Sequence, residues 1–135
     1  MAHYVLNASS GDAERAIEAG LWGVGRDEPH ANALASGDHA SIYAAGTFIG
    51  CAEIAGPVHD WTPAEAAAFP GDSTGGVVLS NAERWNAAVP MAAAVRRIDP
   101  TRSNPIVQSN AGGFTGRIVL LTADEYDAVL DLSRE

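Results

Sequence analysis

Two of the three tryptophans in this chain are placed where an indole could bind a flat ring. Trp22 follows a predicted helix within GLWGV (20–24), and Trp61 follows GPVHD (56–60); both are predicted to lie in loops that flank one β-hairpin. A large indole in such a loop either packs beneath it or presents a stacking surface. For a single tryptophan, packing in the core is the ordinary outcome. As a pair, Trp22 and Trp61 predict an aromatic pocket for a flat ligand.

The remaining residues with metal or thiol chemistry are scattered. The four histidines stand at positions 3, 30, 39 and 59, with neither an HxH nor an HExxH spacing, so no metal site is predicted. Cys51 is the only cysteine, and its apolar surroundings, FIGCAEI, predict a small buried side chain rather than a nucleophile. We therefore expect no metal and no cofactor.

An enzymatic alternative stays open at this stage. Glu53, His59 and Asp60 form a candidate acid–base group, with Ser41 or Ser80 as a hydroxyl nucleophile. Such a group would make the chain a hydrolase of small molecules or nucleotides. Because nothing in the spacing requires catalysis, we prefer a non-enzymatic binding domain.

The charged residues narrow the classes of partner. All eight basic residues are arginine, there is no lysine, and the net charge is −9. The absence of lysine excludes Schiff-base chemistry and a phosphate-loop lysine. The strong negative charge argues against non-specific binding to a nucleic-acid backbone, which depends on basic side chains displacing counterions. A polyanionic partner would have to be met by a local arginine patch.

The elements that must position the tryptophans can be predicted along the chain. Strands are predicted over 3–7, 41–45, 47–56, 77–80, 89–99 and 117–121, and helices over 13–20, 63–69 and 123–132. The first helix is expected to present Ala13, Ala16, Ile17 and Leu21 on one face, and 70–76 is predicted to be a turn. Thr122 and Glu125 form a capping box at the start of the last helix. The pattern predicts an α+β fold, a small mixed β-barrel of about five or six strands with flanking helices.

The length of 135 residues predicts one domain spanning 1–135. No window approaches eighteen apolar residues and the first residues do not form a signal peptide, so we expect a cytoplasmic protein without a membrane segment. The lack of lysine, with abundant alanine, aspartate and glycine, is typical of prokaryotes with GC-rich genomes or adaptation to salt. We expect a monomer.

The order of these motifs resembles the EVE domain family of the PUA-like superfamily, which is related to the YTH domains. The resemblance is carried by six segments in family order, from about residue 3 to 132: HYVLN, GLWGV, GDHASIYAAGTFIGCAEI, GPVHD with Trp61, RRIDP and TADEYDAVL.

The resemblance implies a modified-base reader. A base of the 5-methylcytosine type, most often in DNA, would be flipped out of its strand into a pocket walled by Trp22 and Trp61. Gly23 and Val24 would offer backbone groups to the base edge, and Asn7 and Ser9 would lie at the rim. Stacking and hydrogen bonding to the base edge make physical sense of such a pocket.

The partners that follow from this interpretation are a modified DNA or RNA base and a nuclease or other defence-system protein. The candidate phosphate contacts are arginines grouped mainly late in the sequence: Arg26, Arg96, Arg97, Arg102 and Arg117. A regulatory domain that binds a free nucleoside is a further alternative.

Overall fold

The computed structural model describes residues 2–8, 10–24, 31–69, 74–97 and 118–134. Within these residues, the strands are β1 (His3–Ala8), β2 (Leu21–Gly23), β3 (His39–Ala44), β4 (Thr47–Ile54), β5 (His59–Asp60), β6 (Gly75–Pro90) and β7 (Ile118–Leu121). The helices are α1 (Ser10–Ala19), α2 (Pro63–Ala68), α3 (Met91–Arg97) and α4 (Ala123–Ser133), with a 3₁₀ turn at Ala31–Ala33. None of these helices is long and apolar enough to span a bilayer.

The strands form one mixed sheet. Their order is β2-β6-β4-β3-β1-β7, and β5 pairs with β6 beside this path. Strands β1 and β3 are parallel, whereas the other pairs are antiparallel. The predicted α+β fold is confirmed, and so is the hairpin of β3 and β4. Ala45 (φ 52°) and Gly46 (φ 83°) both adopt left-handed backbone at its tip, as a tight hairpin turn requires.

Strand β6 is the spine of the sheet because its 16 residues pair with three other strands. Its register against β4 shifts between Cys51 and Glu53, and Asn81 lies in the bulge with a φ of 52°. Asparagine tolerates this conformation better than most residues, and bulges bend and twist a strand. Because of this bend, the first half of β6 pairs with β2 and β5, whereas the second half packs against α4.

Two apolar clusters lie on either side of this bend. The first contains Leu6, Trp22, Ile54, Phe69 and Val77, and the second is built around Phe48, Trp85, Val89, Tyr126 and Val129. Trp85 therefore packs in the cluster that does not contain the other two tryptophans. Its indole is buried, which is the ordinary outcome for a single tryptophan.

The starts of α2 and α4 were predicted correctly, whereas α1 starts at Ser10 rather than at residue 13. Thr62 caps α2 with Pro63 at its first position, and Thr122 caps α4; in each case the glutamate three residues later completes a capping box. Tyr126 and Val129 are buried on the inner face of α4.

Three predictions about local structure were wrong. The strand predicted over 89–99 is wrong from Met91 to Arg97, because β6 ends at Pro90 and these alanine-rich residues form α3, while 98 and 99 lie outside the described residues. Gly75 and Gly76 open β6 rather than belonging to a turn. Leu21 is not on the face of α1, because Gly20 (φ 67°) ends the helix and the chain becomes extended at once.

Candidate functional site

The segments that carry Trp22 and Trp61 meet at the start of β6. On one side Val24 N donates to Gly75 O (3.0 Å), and on the other side Trp61 N donates to Thr74 O (2.9 Å). Strand β2 pairs Trp22 with Val77, and β5 pairs His59 with Gly76. The prediction that these segments lie in loops was wrong for Trp22, which is part of β2. The structure brings the two segments to one stretch of backbone, as the interpretation requires.

Glycine at position 76 is what permits this close approach. A Cβ atom on Gly76 would lie 2.6 Å from Cη2 and 2.8 Å from Cζ2 of the Trp61 ring, and it would also overlap the carbonyl oxygen of Trp22. Because Cβ atoms do not approach other heavy atoms so closely, any larger residue would displace Trp61 or separate β2 from β6. From the sequence alone, Gly76 was predicted only as part of the turn at 70–76.

Phe69 connects the two indoles. Its ring centroid lies 6.4 Å from that of Trp22, at an interplanar angle of 65°, and 6.3 Å from that of Trp61, at 51°. Trp22 is fully enclosed with 0% exposure, Phe69 is 3% exposed, and Trp61 is half-buried. Trp61 is thus the indole that reaches the surface, and Trp22 is a core side chain here. Sequence reasoning missed Phe69 because it ends an alanine-rich helix.

A histidine–glutamate hydrogen bond and a helix cap hold the segment that bears Trp61. His59 Nε2 lies 2.9 Å from Glu65 Oε2, and Thr62 N donates to Glu65 Oε1 (2.9 Å). These contacts lower the pKa of Glu65, first through the Thr62 backbone N–H and then through His59. The His59 ring also contacts Trp61 edge-on, with centroids 5.6 Å apart. Glu65 therefore links β5, Trp61 and α2 into one unit.

The N–H groups near the tryptophans differ in whether they already donate a hydrogen bond within the protein. Val24 N–H is used by Gly75, so it is not the free donor that was predicted. The bond pattern makes Gly23 and Gly76 a non-hydrogen-bonded pair, which directs the N–H and C=O of Gly23 away from β6. Among the described residues, Nε1 of Trp61 is buried without a hydrogen-bond partner. Nε1 of Trp61 is thus a donor without a partner among the described residues, and β6 does not use the main-chain groups of Gly23.

The other predicted site residues are placed as follows. Asn7 lies near the end of β1, which the sheet order separates from β6 by β3 and β4. Arg97 is exposed at the end of α3. The remaining predictions lie outside the described residues, or outside the described side chains in the case of Arg96: Ser9, Arg26, Arg96, Arg102 and Arg117. The predicted phosphate patch stays a prediction.

The residues of the enzymatic alternative are not assembled as that alternative needs. Ser41 is fully buried and donates to Tyr4 O (3.4 Å). Glu53 lies opposite Ser80 across the β4–β6 ladder, but His59 is bonded to Glu65 instead. Within the described part of the chain, no three His, Cys, Asp or Glu side chains are grouped to hold a metal ion.

Comparison with known proteins identifies the fold. No family model and no curated protein matches the sequence, so the EVE resemblance stays a prediction. Solved structures do match over nearly the whole chain. Human THYN1, in complex with DNA containing 5-methylcytosine, superposes with a TM-score of 0.68 at 14% identity, covering 100% of this chain and 99% of that one. The fold is PUA-like.

Two further structures belong to the same comparison. The YTH domain of Zygosaccharomyces rouxii MRB1, in complex with N6-methyladenosine RNA, has a TM-score of 0.67 at 12% identity, covering 98% of this chain and 86% of that one. The ASCH protein of Zymomonas mobilis has a TM-score of 0.58 at 14% identity, covering 96% and 94%. At these identities the PUA-like fold is what is shared.

Proposed function

We propose that this PUA-like domain is a non-enzymatic reader of a modified nucleobase. It binds a flipped base of the 5-methylcytosine type, in DNA, in an aromatic pocket whose walls are Trp22 and Trp61. Two proteins of this fold have been solved with a methylated base in DNA or RNA, which supports the proposal at the level of fold.

One observation carries the proposal: both tryptophan-bearing segments are hydrogen-bonded to residues 74–77, and the two indoles share contacts with Phe69. Paired strands hold the walls of such a pocket rigidly, so little conformational entropy of the walls is lost when a flat ligand binds. Stacking of a base on an indole contributes about 1–3 kcal/mol.

Polar groups beside the indoles would select the base. The buried Nε1 of Trp61 donates to a ring nitrogen or carbonyl oxygen, and Gly23 presents one donor and one acceptor of the main chain. The methyl group fills apolar space that excludes water. Asn7 and Ser9 are proposed to lie at the rim, and Arg26, Arg96, Arg97, Arg102 and Arg117 to contact phosphates.

The acidic character of the chain favours a second candidate, a domain that binds a free nucleoside. Exposed Asp60 and the carboxylate of Glu65 adjoin Trp61, and the net charge is −9. Carboxylates beside a pocket repel a phosphodiester but leave an uncharged nucleoside unaffected.

Calorimetry and tryptophan fluorescence test both candidates. The ligands are matched oligonucleotides with 5-methylcytosine, N6-methyladenine or no modification, and the nucleoside 5-methyl-2′-deoxycytidine. We expect the 5-methylcytosine oligonucleotide to bind at least about tenfold more tightly than its unmodified match, since each 1.4 kcal/mol gives a factor of ten. Trp61→Ala should abolish binding, whereas Trp85→Phe, in the second cluster, should preserve it.

The other outcomes decide against the proposal. Equal and strongly salt-dependent binding to every oligonucleotide would indicate backbone attraction alone. Binding of the nucleoside but not the oligonucleotide would select the free-nucleoside candidate. Turnover of a nucleotide that is lost in His59→Ala would select the hydrolase. We also propose that the domain is a monomer that works with a nuclease or another defence protein.

A further inference from the structure

Phe69 is a buried aromatic residue that contacts both Trp22 and Trp61. Its ring touches both indoles, at 6.4 Å and 6.3 Å between centroids, and is itself 3% exposed. Neither contact is a parallel stack. Phe69 therefore fills the space next to both rings that a six-membered base ring would need.

The segment that carries Phe69 has few other attachments to the core. Helix α2 is six residues long, and none of its own residues is buried. It is held at its start by the Thr62–Glu65 capping box and the His59–Glu65 pair, and at its end by the bond from Phe69 N to Glu65 O. Phe69 is the one buried side chain of the stretch 62–69. Withdrawing this ring would leave the sheet and its ladders intact.

We infer that Phe69 is a plug that closes the aromatic site in the free protein, and that a base ring replaces the phenyl ring when ligand binds. This inference rests on the proposed base-binding function. Exchange of one flat aromatic ring for another leaves Trp22 and Trp61 with an aromatic partner, and the polar edge of the base is then met by the Nε1–H of Trp61 and the main chain of Gly23. The free protein is then mainly closed, and its apparent affinity is reduced by the fraction of molecules in which Phe69 is withdrawn.

The first arm of the test measures exposure of Trp22 alone. In a Trp61→Phe, Trp85→Phe background, Trp22 is the only fluorophore of its kind, and acrylamide quenching reports its accessibility. Phe69→Leu should increase quenching. Phe48→Leu is the matched control, because Phe48 is also a buried aromatic residue but packs on Tyr43 in the second cluster. It should leave Trp22 protected. Phe69→Met, closer in volume, repeats the measurement if Phe69→Leu unfolds.

The second arm measures affinity in the chain with all three tryptophans. Phe69→Leu should bind the 5-methylcytosine oligonucleotide about tenfold more tightly than the parent chain, because the open fraction rises toward one. Phe48→Leu should bind like the parent chain. The plug proposal would be overturned if acrylamide quenched Trp22 no more in Phe69→Leu and Phe69→Met than in the background that retains Phe69. Weaker binding by both variants would also overturn it, since Phe69 would then be a wall of the pocket.

The two arms separate the plug from the proposed function. If Phe69→Leu exposes Trp22 but neither it nor the parent chain binds any modified base, the covering role of Phe69 holds and the base-reading proposal fails. If the parent chain binds and Trp22 remains protected in both variants, base reading holds and the plug is rejected.

Discussion

The ring of Trp61 lies directly against Gly76, with Cη2 only 2.6 Å from the position that a Cβ atom would take. The contact joins the residue after β5 to the second residue of β6, where β2 pairs with β6 from the other side. Position 76 is therefore a test of whether the close approach of these strands matters.

Gly76→Ala should destabilise the protein by about 1–3 kcal/mol, because an added methyl group overpacks a tight contact. It should also weaken base binding by displacing Trp61. Urea denaturation gives the free energy of unfolding. Gly56→Ala is the matched control, since a Cβ there meets nothing within 4 Å and should change stability by less than about 0.5 kcal/mol. Equal effects of the two substitutions would contradict this account.

The Glu65 carboxylate should contribute to stability only above acidic pH. Its pKa is lowered from 4.5 in the folded chain by the Thr62 N–H and then by His59, so the unfolded chain binds the proton first. The contribution is fully present above pH 4.5 and is lost as pH falls through the folded pKa. NMR titration of the carboxyl group measures this pKa. His59→Gln should raise it part of the way, and a Glu65 that titrates at its ordinary value would refute the linkage.

A separate loss of stability is expected from His3. Burial, and then the neighbouring His39, lower its pKa from 6.5, and only partly do Asp127 and Asp38 oppose them. The His3 ring stacks with His39 (5.6 Å) and contacts Tyr126 (4.9 Å), so it joins β1, β3 and α4.

Folding disfavours the protonated form of His3. The contribution of His3 to the free energy of unfolding is therefore fully present above pH 6.5, and it is lost as pH falls through the lower folded pKa. The urea midpoint should fall over this range in the parent chain and fall less in His3→Gln. An identical decline in both proteins would assign the effect to other groups.

Cys51 should react slowly with thiol reagents although it lines a cleft of about 210 Å³ beside Trp85 and Arg134. Burial raises the pKa of its thiol, an effect that the hydrogen bond with Trp85 only partly offsets. Because the thiolate is the reactive form, labelling by an aromatic disulfide at pH 8 should be much slower in the native protein than in urea. Equal rates in the native protein and in urea would show that the Cys51 thiol is not protected by burial and that its pKa is not raised.

The local signals that the sequence predicted correctly have short-range causes. The hairpin follows from Ala45 and Gly46 between two strands, and the starts of α2 and α4 follow from threonine with glutamate three residues later. Each of these features is decided by a few neighbouring residues, so a single sequence reveals it.

The features that were missed depend on distant partners. Trp22 enters a strand because β6 is there to pair with it, and β6 continues through Asn81 because a bulge absorbs a residue that would otherwise mark a turn. Phe69 is buried because it contacts both indoles, and the alanine-rich helix that precedes it carries no local sign of these contacts. That the segments of Trp22 and Trp61 come together could be predicted, but the burial of Trp22 and the residue that joins the two indoles could not.

The 16-residue spine strand pairs with three other strands and runs from the aromatic site to the second cluster. Its backbone amides should therefore exchange with solvent deuterium only when the whole domain opens, and the Leu79 amide, bonded to Gly20, is a direct reporter. The amides of α2 should exchange far sooner, through local opening. Ligand could then bind and dissociate without loss of cooperative folding. The segment that moves, α2 with Phe69, and the sheet around β6 would open as separate units.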